Sequence, residues 1–367
     1  MNSPLFQPFA LPNLTLPNRI VMAPMTRSFS PGGVPGDNVA DYYRKRAEGG
    51  VGLIITEGTG IDRPGSVNDS AVPRFHGDEA LAGWAEVVTA VHGAGGKIAP
   101  QLWHVGSAPN PAARDETHAE SPSGQFKPGK PWGKTMTTAD IDETIAAYAN
   151  AARAALALGF DAVELHGAHG YLIDQFFWDG TNQRTDEWGG PTLSQRSRFA
   201  LEIVKAVKAE LSNEIPLILR VSQWKQQDYT ARLATSQAEL EAWLAPMVAA
   251  GVDVLHCSQR RFWEPEFPEL DGEDGLNFAG WTRKVTGAPT ITVGSVGLSG
   301  EFIAGFGGEA SQPADFSALE ARLAAEEFDL VAVGRALIVD ADWALKVQDG
   351  RAAELNGFER SALATLA

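Results

Sequence analysis

Cysteine is almost absent from this 367-residue chain, which holds only Cys257. A single thiol excludes an intramolecular disulfide and a thiolate metal cluster, and it makes a reducing compartment the default. Long apolar runs are missing too: none approaches the roughly 20 residues of a bilayer-crossing helix. The opening stretch MNSPLFQPFA has no basic segment leading into an apolar one. No secretory signal is therefore expected, and the cytoplasm is the expected location. Basic charge is scarce, with 30 Lys and Arg against 46 Asp and Glu and a formal net charge of −16. Such a surface argues against nucleic acid or an anionic membrane as partner. It does not exclude an anionic cofactor, because a local nest of backbone N–H groups holds phosphate whatever the overall charge. Low-complexity tracts and short repeats are absent as well.

The chain does contain eight short runs of branched apolar residues. They are RIVMAPM (19–25), VGLIITEG (51–58), KIAPQLWH (97–104), FDAVELHG (160–167), PLILRVS (216–222), VDVLHCS (252–258), PTITVGS (289–295) and FDLVAVGR (328–335). Continuous rather than alternating apolar character is the mark of parallel strands buried on both faces. Between them lie helical patterns. DEALAGWAEVVTAVHGAGG ends in capping glycines, TTADIDETIAAYANAARAALALG opens with Thr138 as an N-cap, and SQAELEAWLAPMVAAG carries Pro246 as an expected kink. Strand and helix alternating eight times predict a (β/α)8 barrel. A doubly wound sheet is the alternative, but no strand leads into a GxGxxG fingerprint. LFQPFALPNLTLPNRI, before the first strand, reads as a hairpin plugging the barrel floor. Two long inserts, residues 107–137 and RRFWEPEFPELDGEDG, follow the ends of strands three and six, on the face where barrels place their sites.

Polar groups gather where the apolar runs stop. Gly294–Ser295 and Gly334–Arg335 end strands seven and eight, where barrels commonly hold a phosphate on backbone N–H groups, and Arg335 adds a fixed cation. ELHGAHGYLIDQFF places His166, His169 and Tyr171 together. Three readings compete. A zinc site would need a third ligand, and helical zinc pairs usually stand four residues apart. A pair of structural core histidines is the second reading. The third is two imidazoles donating to a developing oxyanion, with Tyr171 as proton donor, which suits the reduction of an enone.

These residues bring a resemblance with them. HGAHGYLIDQFFWDGTNQRTDEWGG, followed by SQRSRFALEIV, resembles the old yellow enzymes, FMN-dependent ene-reductases built on a (β/α)8 barrel. The likeness runs from LFQPFALPNLTLPNRIVMAPMTR to DLVAVGRALIVDADW, almost the whole chain. It implies one FMN-binding barrel domain over residues 1–367, with NADPH or NADH as reductant and a monomer or homodimer as the assembly. By position, Pro24, Met25 and Thr26 would lie along the flavin, Gly58 and Gln101 at its pyrimidine edge and Arg220 beside N1. Gly294, Ser295, Gly334 and Arg335 would hold the phosphate. His166 and His169 would grip the substrate oxygen and Tyr171 would protonate the α-carbon. Trp103, Phe262 and Trp263 either pack loops or shape the substrate slot. Arg260 and Arg261 are either solvated charges or contacts for the 2′-phosphate of NADPH.

The chain also departs from the family. Its His-His pair is combined with threonine at Thr26, Gln195 and Trp188 replace the usual asparagine and tyrosine, and QWKQQDYTARLATSQ is unlike the common loop. Activated alkenes (enones, maleimides, nitroalkenes) are the expected substrates, and a flavin-binding redox sensor without turnover is the alternative. The larger iron–sulfur relatives need a cysteine run that this sequence lacks. An RNA-modifying flavoenzyme is disfavoured by the acidic charge.

Overall fold

The computed structural model describes residues 3–11, 13–110, 116–300, 305 and 307–367. Eight parallel strands close into a barrel. They are β1 (Ile20–Met22), β2 (Leu53–Gly60), β3 (Ile98–Trp103), β4 (Val163–His169), β5 (Leu217–Lys225), β6 (Val254–Ser258), β7 (Thr290–Val293) and β8 (Leu330–Val333). Each coincides with one of the eight apolar runs, and nearly every residue in them is buried. The barrel and its order are as the sequence predicts.

Helices cover the outside: α1 (Asp37–Glu48), α2 (Asp78–Gly93), α3 (Thr138–Ala157), α4 (Arg198–Leu211), α5 (Gln237–Ala249), α6 (Phe278–Thr286), α7 (Ser317–Ala324) and α8 (Trp343–Gln348). One local expectation needs correction. The N-cap of α3 is Thr137, not Thr138. Its hydroxyl accepts from Asp140 N at 3.1 Å while the Asp140 carboxylate accepts Thr137 N at 2.9 Å, a reciprocal box that position 138 has no acid to complete. Helix α5 contains Pro246, the residue expected to kink it. The proline sits in its last turn, where its own carbonyl still accepts from Ala250 N.

The hairpin expected at the barrel floor is present, with Phe9–Leu11 antiparallel to Leu14–Leu16. Leu11, Leu14 and Leu16 form one apolar cluster with Val21, Leu53, Ala99, Ile218, Val254, Ile291 and Leu330 from inside the barrel. That cluster closes the N-terminal end, so only the C-terminal end is left open for chemistry. Outside, Phe160 meets Phe75 and Trp84 edge to face, and Phe75 and Trp84 pack tilted on each other, which fastens α2 to the start of β4. The insert after β3 is pinned by Glu120, which is buried against Arg63 at 2.8 Å and His104 at 3.2 Å. Among the described residues, no helix is long and apolar enough to cross a membrane.

Candidate active site

A cavity of about 660 Å³ opens at the C-terminal ends of the strands. It is lined by Pro24, Met25, Thr26, Gln101, Trp103, His166, His169, Tyr171, Arg220, Gly294, Ser295, Gly334 and Arg335, so thirteen of the fifteen residues expected at the site meet there. Gly58 and Trp263 do not line it. Gly58 lies behind Trp103, where a Cβ would stand 2.6 Å from the indole; its bare backbone lets Trp103 seat. Trp263 is 40% exposed and meets Phe262 edge-on at 5.0 Å. Phe262, like Trp263, does not line the cavity, whereas Trp103 does.

One wall is the segment after β1. Glu57 Oε2 accepts the backbone N–H groups of Arg27 at 2.8 Å and Ser28 at 3.0 Å, which fixes the chain just beyond Thr26. Burial pushes the Glu57 carboxyl up to about 7. The floor is Gln101 on β3 and Arg220 on β5. Arg220 is buried, its Nε has no protein partner, and desolvation draws its guanidinium down to about 10.

His166 and His169 sit at the end of β4, their rings edge to face at 5.1 Å. His166 Nδ1 is buried with no hydrogen-bond partner. His169 is held in the left-handed region at φ 66°, an unusual state for a non-glycine residue. Three contacts keep it there: its N–H donates to Ser222 Oγ at 2.9 Å, its Nε2 meets Ser258 Oγ at 2.7 Å, and its ring stacks on Trp224 at 4.6 Å. Burial first, then the Arg220 charge, holds both imidazoles well below their usual pKa, so both are neutral near pH 7. Tyr171 stands edge-on to Trp103 at 4.8 Å and to His166 at 5.1 Å, and its Oη accepts from Gln226 Nε2 at 3.2 Å. Among the described residues no three His, Cys, Asp or Glu side chains cluster as metal ligands. A catalytic zinc needs three protein ligands, and His166 and His169 would supply two.

At the far end of the cavity, Gly294 at φ 148° and Ser295 at φ 52° make a turn most side chains avoid. Ser295 Oγ and Arg335 Nη2 both donate to Gly300 O, at 3.3 Å and 2.5 Å. The Arg335 guanidinium also lies 5.4 Å from the Phe358 ring centre. The two strand-end turns are thus tied together with the cation in a fixed place.

Sequence reasoning missed several lining residues: Asn68, Asp69, Val72, Trp224, Gln226, Tyr229 and Ser258. Trp224 and Tyr229 stack at 5.3 Å and extend the wall begun by His169. For Trp224, Gln226 and Tyr229 the available signal was the polar and aromatic make-up of QWKQQDY at and beyond the end of β5. Arg260 also lines the cavity, whereas Arg261 pairs with Glu264 at 2.7 Å. Among the described residues, three arginines and one aspartate thus line a cavity in a protein of net charge −16. The local field favours an anion where the whole surface does not.

A cavity above a closed barrel floor, lined by arginines, two neutral imidazoles and a phenol, suits a barrel of the flavin-oxidoreductase class. The chain belongs to the NADH:flavin oxidoreductase / NADH oxidase family, the old yellow enzymes, whose family model matches residues 4–304. It is 43% identical over 219 residues to 12-oxophytodienoate reductase 7 of Oryza sativa subsp. japonica, covering 56% of this chain and 55% of that protein. It is 34% identical over 362 residues to the NADH oxidase of Thermoanaerobacter brockii, covering 96% and 52%. The chain thus spans about half the length of these two relatives. The solved structure of morphinone reductase in complex with tetrahydroNAD superimposes with a TM-score of 0.80 at 30% identity, covering 98% of this chain and 93% of that one.

Proposed function

We propose that residues 1–367 act as one FMN-binding domain that uses NADPH or NADH to reduce alkenes activated by a carbonyl or nitro group. The observation that carries this reading is that His166, His169 and Tyr171 line one cavity with their rings in mutual edge contact, both imidazoles neutral.

The residues fit FMN from end to end. The tied turns at Gly294–Ser295 and Gly334–Arg335 would take its phosphate. Pro24, Met25 and Thr26 would run along its ring, and Gln101 and Arg220 would meet its polar edge. When bound and reduced, FMN supplies a hydride for the β-carbon of the substrate. The protein does the rest. His166 and His169, being neutral, donate N–H groups to the substrate oxygen, where negative charge grows as the β-carbon is reduced. Tyr171 holds the proton for the α-carbon, and Gln226 steadies the phenol oxygen from the loop side. Trp103 and Trp224 bound the slot in which the double bond lies. The relatives named as reductases support the alkene reading, and Arg260 at the cavity mouth is where a 2′-phosphate would be sensed.

Anaerobic mixing of the purified protein with NADPH or NADH, then with cyclohexenone, N-methylmaleimide and nitrostyrene, tests the proposal. Flavin bleaching by nicotinamide and recovery of colour by the alkenes are expected. A protein that binds FMN and is reduced, yet is reoxidised by none of the alkenes, would favour the sensor reading and sink this one.

A further inference from the structure

Behind the cavity lies a chain of three buried polar side chains. Glu164 is fully buried and does not line the cavity, yet both of its oxygens are engaged. Oε1 accepts from Gln101 Nε2 at 2.7 Å, and Oε2 meets His256 Nδ1 at 2.6 Å. Gln101 stands beside Glu164 in register across β3 and β4, while His256 lies two strands away on β6, with Arg220 on the strand between.

The chemistry of each group fixes the orientation of the next. A carboxylate only accepts, so Gln101 must turn its NH2 toward Glu164. Its carbonyl oxygen then points the other way, and Gln101 is the member of the chain that lines the cavity. Burial keeps His256 neutral with a single N–H, which facing a carboxylate belongs on Nδ1. The remaining Nε2 is a buried acceptor with no protein donor.

Packing alone does not account for this arrangement. Burying a carboxylate is costly, and apolar side chains of similar volume commonly fill such space at no loss of stability. What the carboxylate adds is direction: it removes one of the two ways the Gln101 amide can lie.

We propose that Glu164, anchored by His256, is a positioning residue that locks the Gln101 amide with its carbonyl oxygen toward the flavin. An oxygen there complements the N3–H of an isoalloxazine ring, and the second amide N–H complements an adjacent ring carbonyl. The inference rests on the FMN reading above. Glu164 also places a negative charge behind the ring site, where Arg220 offsets part of it.

The test compares apoprotein of the unaltered chain with Glu164→Gln, His256→Leu and His256→Asn. The readouts are the FMN dissociation constant and the midpoint potential of the bound flavin. Glu164→Gln is close in shape and uncharged. It frees the Gln101 amide to flip, so FMN should bind about tenfold more weakly, the scale of one lost charge-assisted hydrogen bond. The potential should rise, because a negative charge near the electron-accepting ring is gone. His256→Leu should weaken FMN binding, and His256→Asn, whose amide N–H replaces Nδ1, should return it toward the unaltered value. An unchanged dissociation constant and potential in a less heat-stable Glu164→Gln would overturn the proposal and leave Glu164 a structural residue. If that variant does not fold, equal FMN affinity in the Leu and Asn variants of His256 overturns it instead. Failure of the unaltered chain to bind FMN would overturn the flavin reading itself, a separate result.

Discussion

Lys225 Nζ lies 2.7 Å from Asp174 Oδ1, and neither side chain has any exposed surface. The pair joins the end of β5 to the turn that carries His169 and Tyr171. Asp174 Oδ2 accepts from Gly170 N at 2.6 Å, and Lys225 Nζ also donates to Gln223 O at 3.1 Å. Nothing in the pair touches the cavity, yet it fastens the left-handed His169–Gly170 step to the barrel.

Removing one partner of a buried ion pair leaves the other charge uncompensated, at a cost of roughly 3–5 kcal/mol. Lys225→Met should therefore destabilise the protein by about that amount, measured by urea unfolding of the apoprotein. Changing Lys225 and Asp174 together to Met and Leu should recover part of the loss, because no orphan charge remains. Full additivity of the two single changes would mean that the ion pair is not what holds the turn.

Glu57 and Glu266 are both raised by burial to about 7. An acid whose folded pKa lies above its unfolded one binds more protons when folded, between about 4.5 and 7. Stability contributed by these two groups should accordingly fall as pH rises through that window. Glu57→Gln keeps an oxygen for the N–H groups of Arg27 and Ser28 but cannot ionise. Its unfolding free energy should decline less steeply with pH than that of the unaltered chain, measured in urea at half-unit intervals. Identical slopes would show that Glu57 does not titrate there.

The strands were legible because residues buried on both faces leave continuous apolar runs, and the hairpin because its prolines and leucines alternate. The cap of α3 was misplaced by one position, since two adjacent threonines look alike until Asp140 is seen to complete the box with Thr137. Exposure is not written in a single residue, so Trp263 looked as fit for the cavity as Trp103. Glu164 was hidden for a different reason. It sits inside an apolar run, and only the register of β3, β4 and β6 brings Gln101 and His256 to its two oxygens. Trp224 stands near the end of β5 and Tyr229 in the loop after it; Trp224 stacks on His169 and Tyr229 on Trp224, contacts set by the path of the chain.

Phenols should bind as phenolates over the oxidised flavin and produce a long-wavelength absorption band, because His166 and His169 offer N–H donors to an anionic oxygen beside an electron-poor ring. Replacing both histidines with Ala should abolish the band and leave FMN in place, as neither belongs to the proposed phosphate or ring-edge contacts. Absorption titration with p-hydroxybenzaldehyde reads both outcomes. A band that survives the double change would move the oxyanion site elsewhere.

Tyr171 carries the most specific expectation. Burial raises its phenol above the usual range, with Gln226 pulling the other way, so the hydroxyl keeps its proton near pH 7. Among the described cavity-lining residues, Asp69 is the sole carboxylic acid, and Tyr171 stands next to His166 with its ring edge-on at 5.1 Å. A positioned acid contributes roughly 10²–10⁴-fold. Tyr171→Phe should slow reoxidation by cyclohexenone within that range and leave reduction by nicotinamide near normal. Nitrostyrene should be affected far less, because its nitronate product is stable without protonation at carbon. Gln226→Leu removes one hydrogen bond to the phenol oxygen, worth about 0.5–1.5 kcal/mol. It should slow the enone step by several-fold, in the same direction. Stopped-flow measurement of the two half-reactions separates these effects. Equal slowing of both by Tyr171→Phe would make the phenol a general ligand-positioning group, and an unaffected enone step would assign the proton to water.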